Sequence, residues 1–257
     1  MRWPPVLRLV IRNFASNLDP TTVIIRFGQP AVTIIVLGTM FSTIISSDVT
    51  GGGSYTAFLV PGMVAFQMIT GGVVSGNLFW LDRRWSMVEQ IFSGPFLRSE
   101  YLGGLVLTSL LFSLVGVGIM MLVGLPFTGL PALSPLGVLA VLLTVALGSI
   151  FFAGFLIALG TRLRSANAYF SIQSFLQLFV IFLSTVYYPI TAKTPKVLAA
   201  VFYANPLTYA ANTIRDAFAG TLGSADLGAL GVLAVLAAAA FGVAAIAFRT
   251  MDLGPIQ

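Results

Sequence analysis

Residues 80–100 read WLDRRWSMVEQIFSGPFLRSE, a charged interval between two long apolar runs. Taken as a helix, Leu81, Trp85, Val88 and Phe92 fall at i, i+4, i+7 and i+11 and form one apolar face. Asp82, Ser86 and Glu89 fall on the opposite face. Ser93-Gly94-Pro95 ends the helix, because glycine accommodates a chain reversal and proline cannot continue the hydrogen-bond ladder. The interval is therefore expected to be a short amphipathic helix over 80–95, held at a membrane surface between two spanning segments. It is either a solvated loop with interfacial anchors or a docking element for a soluble partner. The rest of the chain decides between them.

Composition makes lipid the solvent. The chain has 257 residues, 58% hydrophobic and only 8% charged, with a mean hydropathy of +0.99. About one-quarter of an ordinary soluble domain is charged. A soluble core of this size has no room for so much apolar surface, whereas a bilayer accepts it. The net charge of +5 comes from 13 basic residues scattered between apolar runs. They form no patch for nucleic acid, and membrane topology accounts for them better. The chain has neither Cys nor His, which removes disulfides, thiolate metal sites and the commonest general base. The N-terminus lacks the short apolar core and small-residue cleavage site of a signal peptide.

Working outward, residues 1–19 read as an interfacial helix. Pro4 and Pro5 suit its first turn, Leu7, Val10, Phe14 and Leu18 form one stripe, and Arg8, Arg12 and Ser16 the other. Six spans are expected, over about 24–45, 57–79, 101–123, 136–159, 168–188 and 227–248. Arg26 lies near the start of the first and Pro30 kinks it. The turn over 46–56 carries Gly51-Gly52-Gly53. Gly71 and Gly72 in the second span let neighbouring backbones approach closely. Between spans five and six, residues 189–226 hold two helix-length segments too short to cross a bilayer. Thr194-Pro195 and Asn205-Pro206 can each start one, by a cap followed by proline at the first helical position. In the second, Leu207, Ala211, Ile214 and Phe218 share one face, Thr208, Asn212 and Arg215 the other, and Gly220 stops it.

Six spans put both termini on one side, together with ten of the 13 basic residues; Lys193, Lys196 and Arg215 lie on the other. The positive-inside rule then places both termini and the 80–95 helix in the cytoplasm. No glycine is followed by lysine, so the chain has no Walker A loop for ATP phosphates. All eight acids fall at or beyond span ends. That argues against an ion-coupled carrier, which keeps an ionisable group near the midplane. Without histidine, serine and threonine lack the usual base for membrane-embedded catalysis.

The pattern resembles the membrane subunit of a type-2 ABC exporter, the ABC-2 permease family, over nearly the whole chain. Asn205-Pro206-Leu207-Thr208-Tyr209 followed by Ile214-Arg215 is similar to the family's NPLTY…R signature. Tyr187-Tyr188-Pro189-Ile190 resembles the F-Y-P segment before it, and Phe58-Leu59-Val60-Pro61-Gly62 the F-x-x-P-G start of span two. Arg83-Arg84 through Glu89-Gln90 to Pro95 resembles the family's charged stretch, with R-R-W where an R-E pair is usual. The resemblance implies an all-α membrane protein forming one domain over 1–257. It has an interface helix (1–19), a cytoplasmic coupling helix (80–95), six spans and an outer re-entrant hairpin (189–226).

It also implies a non-enzymatic permease in a prokaryotic inner membrane. The permease pairs with a second permease, as a homodimer, over two ATP-binding subunits. This chain binds no cofactor, and ATP and Mg belong to the partner. Asp82, Arg83, Arg84, Trp85, Glu89 and Gln90 would dock the ATPase. Tyr188, Asn205, Pro206, Tyr209 and Arg215 would form the outer gate. Gln67, Thr70, Asn77, Gln173 and Gln177, on spans two and five, would line the path of a drug or lipid. A lipid-linked polysaccharide is the alternative cargo, and an ATP-independent carrier the alternative mechanism. Membrane lipid is an expected partner and nucleic acid is not.

Overall fold

The structure, a computed structural model, describes residues 4–45, 53–94, 96–191 and 194–251. The expected Gly51-Gly52 turn, the Pro95 stop, Lys193 and the polar tail beyond Met251 lie outside the described residues. All regular structure within them is helical: α1 (Pro5–Ala15), α2 (Pro20–Ile44), α3 (Tyr55–Arg84), α4 (Met87–Phe92), α5 (Arg98–Thr128), α6 (Pro135–Arg162), α7 (Ala166–Phe182), α8 (Lys196–Ala204), α9 (Pro206–Ala219) and α10 (Ser224–Arg249). The helix starts follow local chemistry. Asp19, Ser54, Ser134, Ser165 and Asn205 each accept a backbone N–H of the turn they open.

The helix α3 is the centre of the bundle, 89% of its most apolar window being buried. It packs against α2, α5, α6 and α9, while α10 packs on α6 and α1 on α5. Small residues set these spacings, as expected of Gly71 and Gly72. A methyl group on Gly72 would meet Phe152 Cβ at 2.5 Å and the Ala153 nitrogen at 3.0 Å, both on α6. One on Gly71 would collide with Ser113 and the Ser109 carbonyl of α5.

Among the described residues, five helices are long and apolar enough to cross a membrane: α2, α3, α5, α6 and α10. The expected fifth span, 168–188, is represented by α7, of 17 residues. At 1.5 Å per residue that is about 25 Å, short of a crossing's usual 20 or so residues. The helix stops because side chains compete for the backbone. Ser184 Oγ donates to the Ile181 carbonyl and accepts from the Val186 N–H. Tyr169, near one end of this segment, stacks on Trp80 at 5.7 Å between ring centroids. At its other end, the Tyr187 carbonyl accepts from Tyr55 Oη at 3.0 Å.

Three expected boundaries need correction. No single helix covers 80–95: α3 runs on to Arg84, Ser86 adopts a left-handed backbone (φ 53°), and α4 begins at Met87. The apolar period continues across this break, so periodicity alone could not reveal it. The interface helix is shorter than 1–19, and its buried residues are Leu9, Val10 and Asn13, a stripe rotated from the one expected. At α8, Pro195 occupies the cap position without a side-chain bond, and the Thr194 hydroxyl accepts the Thr191 N–H instead.

Candidate functional site

Three regions gather the residues singled out in the sequence. The first is the corner between α3 and α4. Asp82, expected on an open polar face, is buried. It accepts from Arg12 Nη2 at 2.6 Å and from Tyr101 Oη at 2.8 Å. Asn13, next to Arg12, donates to Thr108 Oγ1 at 3.0 Å, so α1 is bound to α3 and α5 through polar contacts. Arg83 also turns inward. Its Nη1 donates to the carbonyls of Gly160, Thr161 and Leu163 at 2.7, 3.0 and 3.2 Å. These are the orphan carbonyls at the end of α6, and a cation there also meets the negative end of the helix dipole. Arg98 does the same for α10, donating to Phe248 and Arg249.

The residues of that corner left facing outward are Leu81, Arg84, Trp85, Met87 and Gln90, with Glu89 half-buried. Trp85 is 66% exposed, and the Arg84 guanidinium lies 5.6 Å from the Trp80 ring and 5.8 Å from that of Trp85. The inner side of α4 is held by Val88, which is buried, and by Phe92. The Phe92 ring lies 5.8 Å from those of Tyr101 and Phe248. The short helix is thus fixed to the bundle on one side and open on the other.

The second region lies at the opposite end of α3. Asn205 uses both ends of its amide. Its Oδ1 accepts the Leu207 N–H and starts α9, while its Nδ2 donates to the Val180 and Leu183 carbonyls at 2.7 and 2.8 Å and closes α7. Arg215 donates to the Phe58 carbonyl (3.3 Å), the Thr185 carbonyl (3.0 Å) and Asn212 Oδ1 (2.8 Å), with its guanidinium 3.8 Å from the Phe58 ring. Burial pushes its pKa down to about 10, far enough above neutrality to leave it charged. Leu207, Thr208, Ala211 and Ile214 are fully buried, so both expected faces of α9 are covered. Tyr209 is half-buried; Tyr188 is 48% exposed.

The third region is a crevice between α2, α3 and α7. A cavity of about 250 Å³ is lined by Thr22, Arg26, Gln29, Thr70 and Gln177 among others. A second, of about 110 Å³, has Ile69, Phe151, Phe155, Gln173 and Val180 in its wall, and the two share Val73 and Gln177. Three of the five expected path residues therefore line one crevice. Gln67 is buried elsewhere, against Gly116 of α5, and Asn77 lines neither cavity. Arg26 and Gln29 were not among the expected site residues. A cation inside an apolar run was the available signal.

Among the described residues, an all-helical bundle with five membrane-length helices, one of them the buried α3, defines a multi-pass membrane protein. The family is specific. The chain belongs to the ABC-2 type transporters, whose model matches residues 6–219, and is thereby a membrane transport component, the permease part of an ABC transporter. No curated protein matches it.

Proposed function

We propose that this chain is the permease of an ATP-driven exporter and that the α3–α4 corner is where a separate ATPase pushes. The observation that carries the reading is the two-sidedness of the α3–α4 corner. Val88 and Phe92 fix it inward, while Arg84, Trp85, Met87 and Gln90 stay open. A helix attached in this way transmits a displacement to α3 and, through the Arg12–Asp82 pair, to α1. Arg83 and Asp82 hold the corner together; Arg84, Trp85, Glu89 and Gln90 meet the partner.

In this reading the segment from α7 to Tyr188 is a sixth crossing, which the contacts Trp80–Tyr169 and Tyr55–Tyr187 support. Both termini and α4 lie in the cytoplasm of a prokaryotic cell, and α8–α9 forms an outer lid hinged on Asn205 and Arg215. Two copies of the chain pair above two ATPase subunits, which bring ATP and Mg. The crevice beside Thr70, Gln173 and Gln177 takes an amphiphilic or apolar cargo, since its wall is mostly apolar with few hydrogen-bonding groups. The test is co-expression with the ATPase encoded beside its gene. A two-plus-two complex with ATPase activity in detergent supports the reading, and a chain that purifies alone beside an inert ATPase rejects it.

A further inference from the structure

Four of the bundle's arginines have settled partners: Arg12 on Asp82, and Arg83, Arg98 and Arg215 on backbone carbonyls. Arg26 does not. It lies in a membrane-length helix, where an uncompensated cation is expensive. Its one hydrogen bond is long, Nη2 to Asn17 Oδ1 at 3.4 Å, and its guanidinium lies 5.5 Å from the Phe112 ring. Its Nη1 is buried with no hydrogen-bond partner among the described residues. The Asp19 carboxylate, the nearest acid in sequence, accepts the Thr22 N–H and lies within electrostatic reach of Arg26 without touching it, and Arg26 has no ion pair among the described residues.

We infer that the crevice between α2, α3 and α7 binds an anionic amphiphile, with its acidic head on Arg26 and its tail in the adjoining apolar cavity. No acid lines either cavity, and the charged side chain in their walls is Arg26. The Arg26 cavity offers hydrogen-bonding groups from Gln29, Thr70 and Gln177 to an acidic head. The neighbouring cavity is walled by Ile69, Phe151, Phe155 and Val180 and reaches Pro206. The polar end thus lies beside the first turns of α2 and the apolar end between α3, α6 and α7. At about 250 and 110 Å³, each cavity is smaller than the 300 Å³ or so of a drug-sized site. Their junction at Val73 and Gln177 favours a narrow molecule with a compact head over a bulky one. That this ligand is cargo rests on the permease reading; that it binds does not.

The test uses the full chain in phosphatidylcholine nanodiscs and a fluorescent long-chain alkyl phosphate. The phosphocholine of the same tail and inorganic phosphate serve as comparisons. The alkyl phosphate is expected to bind in preference to the phosphocholine. Arg26→Gln should weaken it about tenfold, the loss of one charge-assisted hydrogen bond, and Arg26→Lys should restore most of that. Phe155→Ala should weaken both tailed ligands alike and leave the preference between heads unchanged. Equal binding of the two heads, or an Arg26→Gln variant that folds and binds as before, overturns the site. Inorganic phosphate binding as tightly as the alkyl phosphate overturns the amphiphile, since it shows an ion site with no use for a tail. Failure of binding in a chain that still forms an active ATPase complex removes the anionic cargo and leaves the permease standing. Binding in a chain that forms no such complex keeps the anionic site and removes the ATP-driven reading, and with it the ligand's role as cargo.

Discussion

Arg12 Nη2 donates to Asp82 Oδ2 at 2.6 Å across 70 positions of sequence, the single ion pair among the described residues. Its acid is buried and its base about one-third exposed, so removing the base leaves a charge with only Tyr101 for company. Arg12→Met is expected to destabilise the chain by about 3 kcal/mol, the lower end for a broken buried pair. Asp82→Asn should cost less, because Tyr101 can still donate to the amide oxygen. The double variant should cost less than the sum. Denaturant unfolding in detergent measures all three.

Asn205 predicts an inversion of the usual cap ranking. At an ordinary helix start Asp and Asn are about equal, and either is better than Ala by about 1 kcal/mol. Here Asn205→Asp keeps the acceptor for Leu207 but points a carboxylate at the Val180 and Leu183 carbonyls. Asn205→Asp is therefore expected to be at least as destabilising as Asn205→Ala. A thermal midpoint for Asn205→Asp equal to that of the wild type would disprove the two-ended role.

Gly72→Ala should lower stability by about 1–3 kcal/mol, the range for overpacking, because the new methyl meets α6 backbone as well as a side chain. Gly103→Ala is the control, since nothing lies within 4 Å of a methyl there. Similar losses at both positions would mean that helix spacing is not what Gly72 provides.

Reversing the charges of the corner, as Arg84→Glu with Glu89→Arg, should uncouple ATP hydrolysis from export. Stability should stay within about 0.5 kcal/mol of wild type, as for surface changes. Transport at the original rate by that variant would move the docking surface elsewhere.

Asp216 gives a pH dependence with a defined sign. Burial first, and then the nearby Asp226, raise its pKa above the usual value of 3.8, against a smaller pull from Arg215. The folded chain then holds this proton more tightly than the unfolded one. The group's contribution to stability is complete below 3.8 and is lost as pH rises through the folded value. The difference in thermal midpoint between wild type and Asp216→Asn should shift against the wild type as pH rises from about 4 to 7. A difference independent of pH would rule this out.

Much of the bundle was legible because lipid leaves a compositional mark. Long apolar runs gave the membrane helices, Gly71 and Gly72 marked the close approaches, and Asn205-Pro206 marked a helix start. What stayed hidden depends on partners far along the chain. The second end of the Asn205 amide finds α7 carbonyls 22 and 25 positions away. Arg83 finds the end of α6 77 to 80 positions away. No local pattern distinguishes such an arginine from one in solvent, and so Asp82 and Arg83 read as a surface. The break at Ser86 was equally silent, because serine is not a residue that announces a left-handed turn. The crevice was half visible: its glutamines stood out in an apolar helix, whereas Arg26 passed as a topology marker.

The central helix α3 touches α2, α5, α6 and α9 at once, and its tightest points have a glycine on one side of the contact: Gly71 and Gly72 of α3 itself, or Gly116 and Gly148 of its neighbours under Gln67 and Met68. It behaves as a shaft running in four bearings with no slack. Such a shaft does not bend a little for a small load; it stays seated or shifts to another seat, moving its neighbours together. Work done at the α4 end therefore reaches the Arg215 end as a step, and half-open positions of the bundle should be scarce.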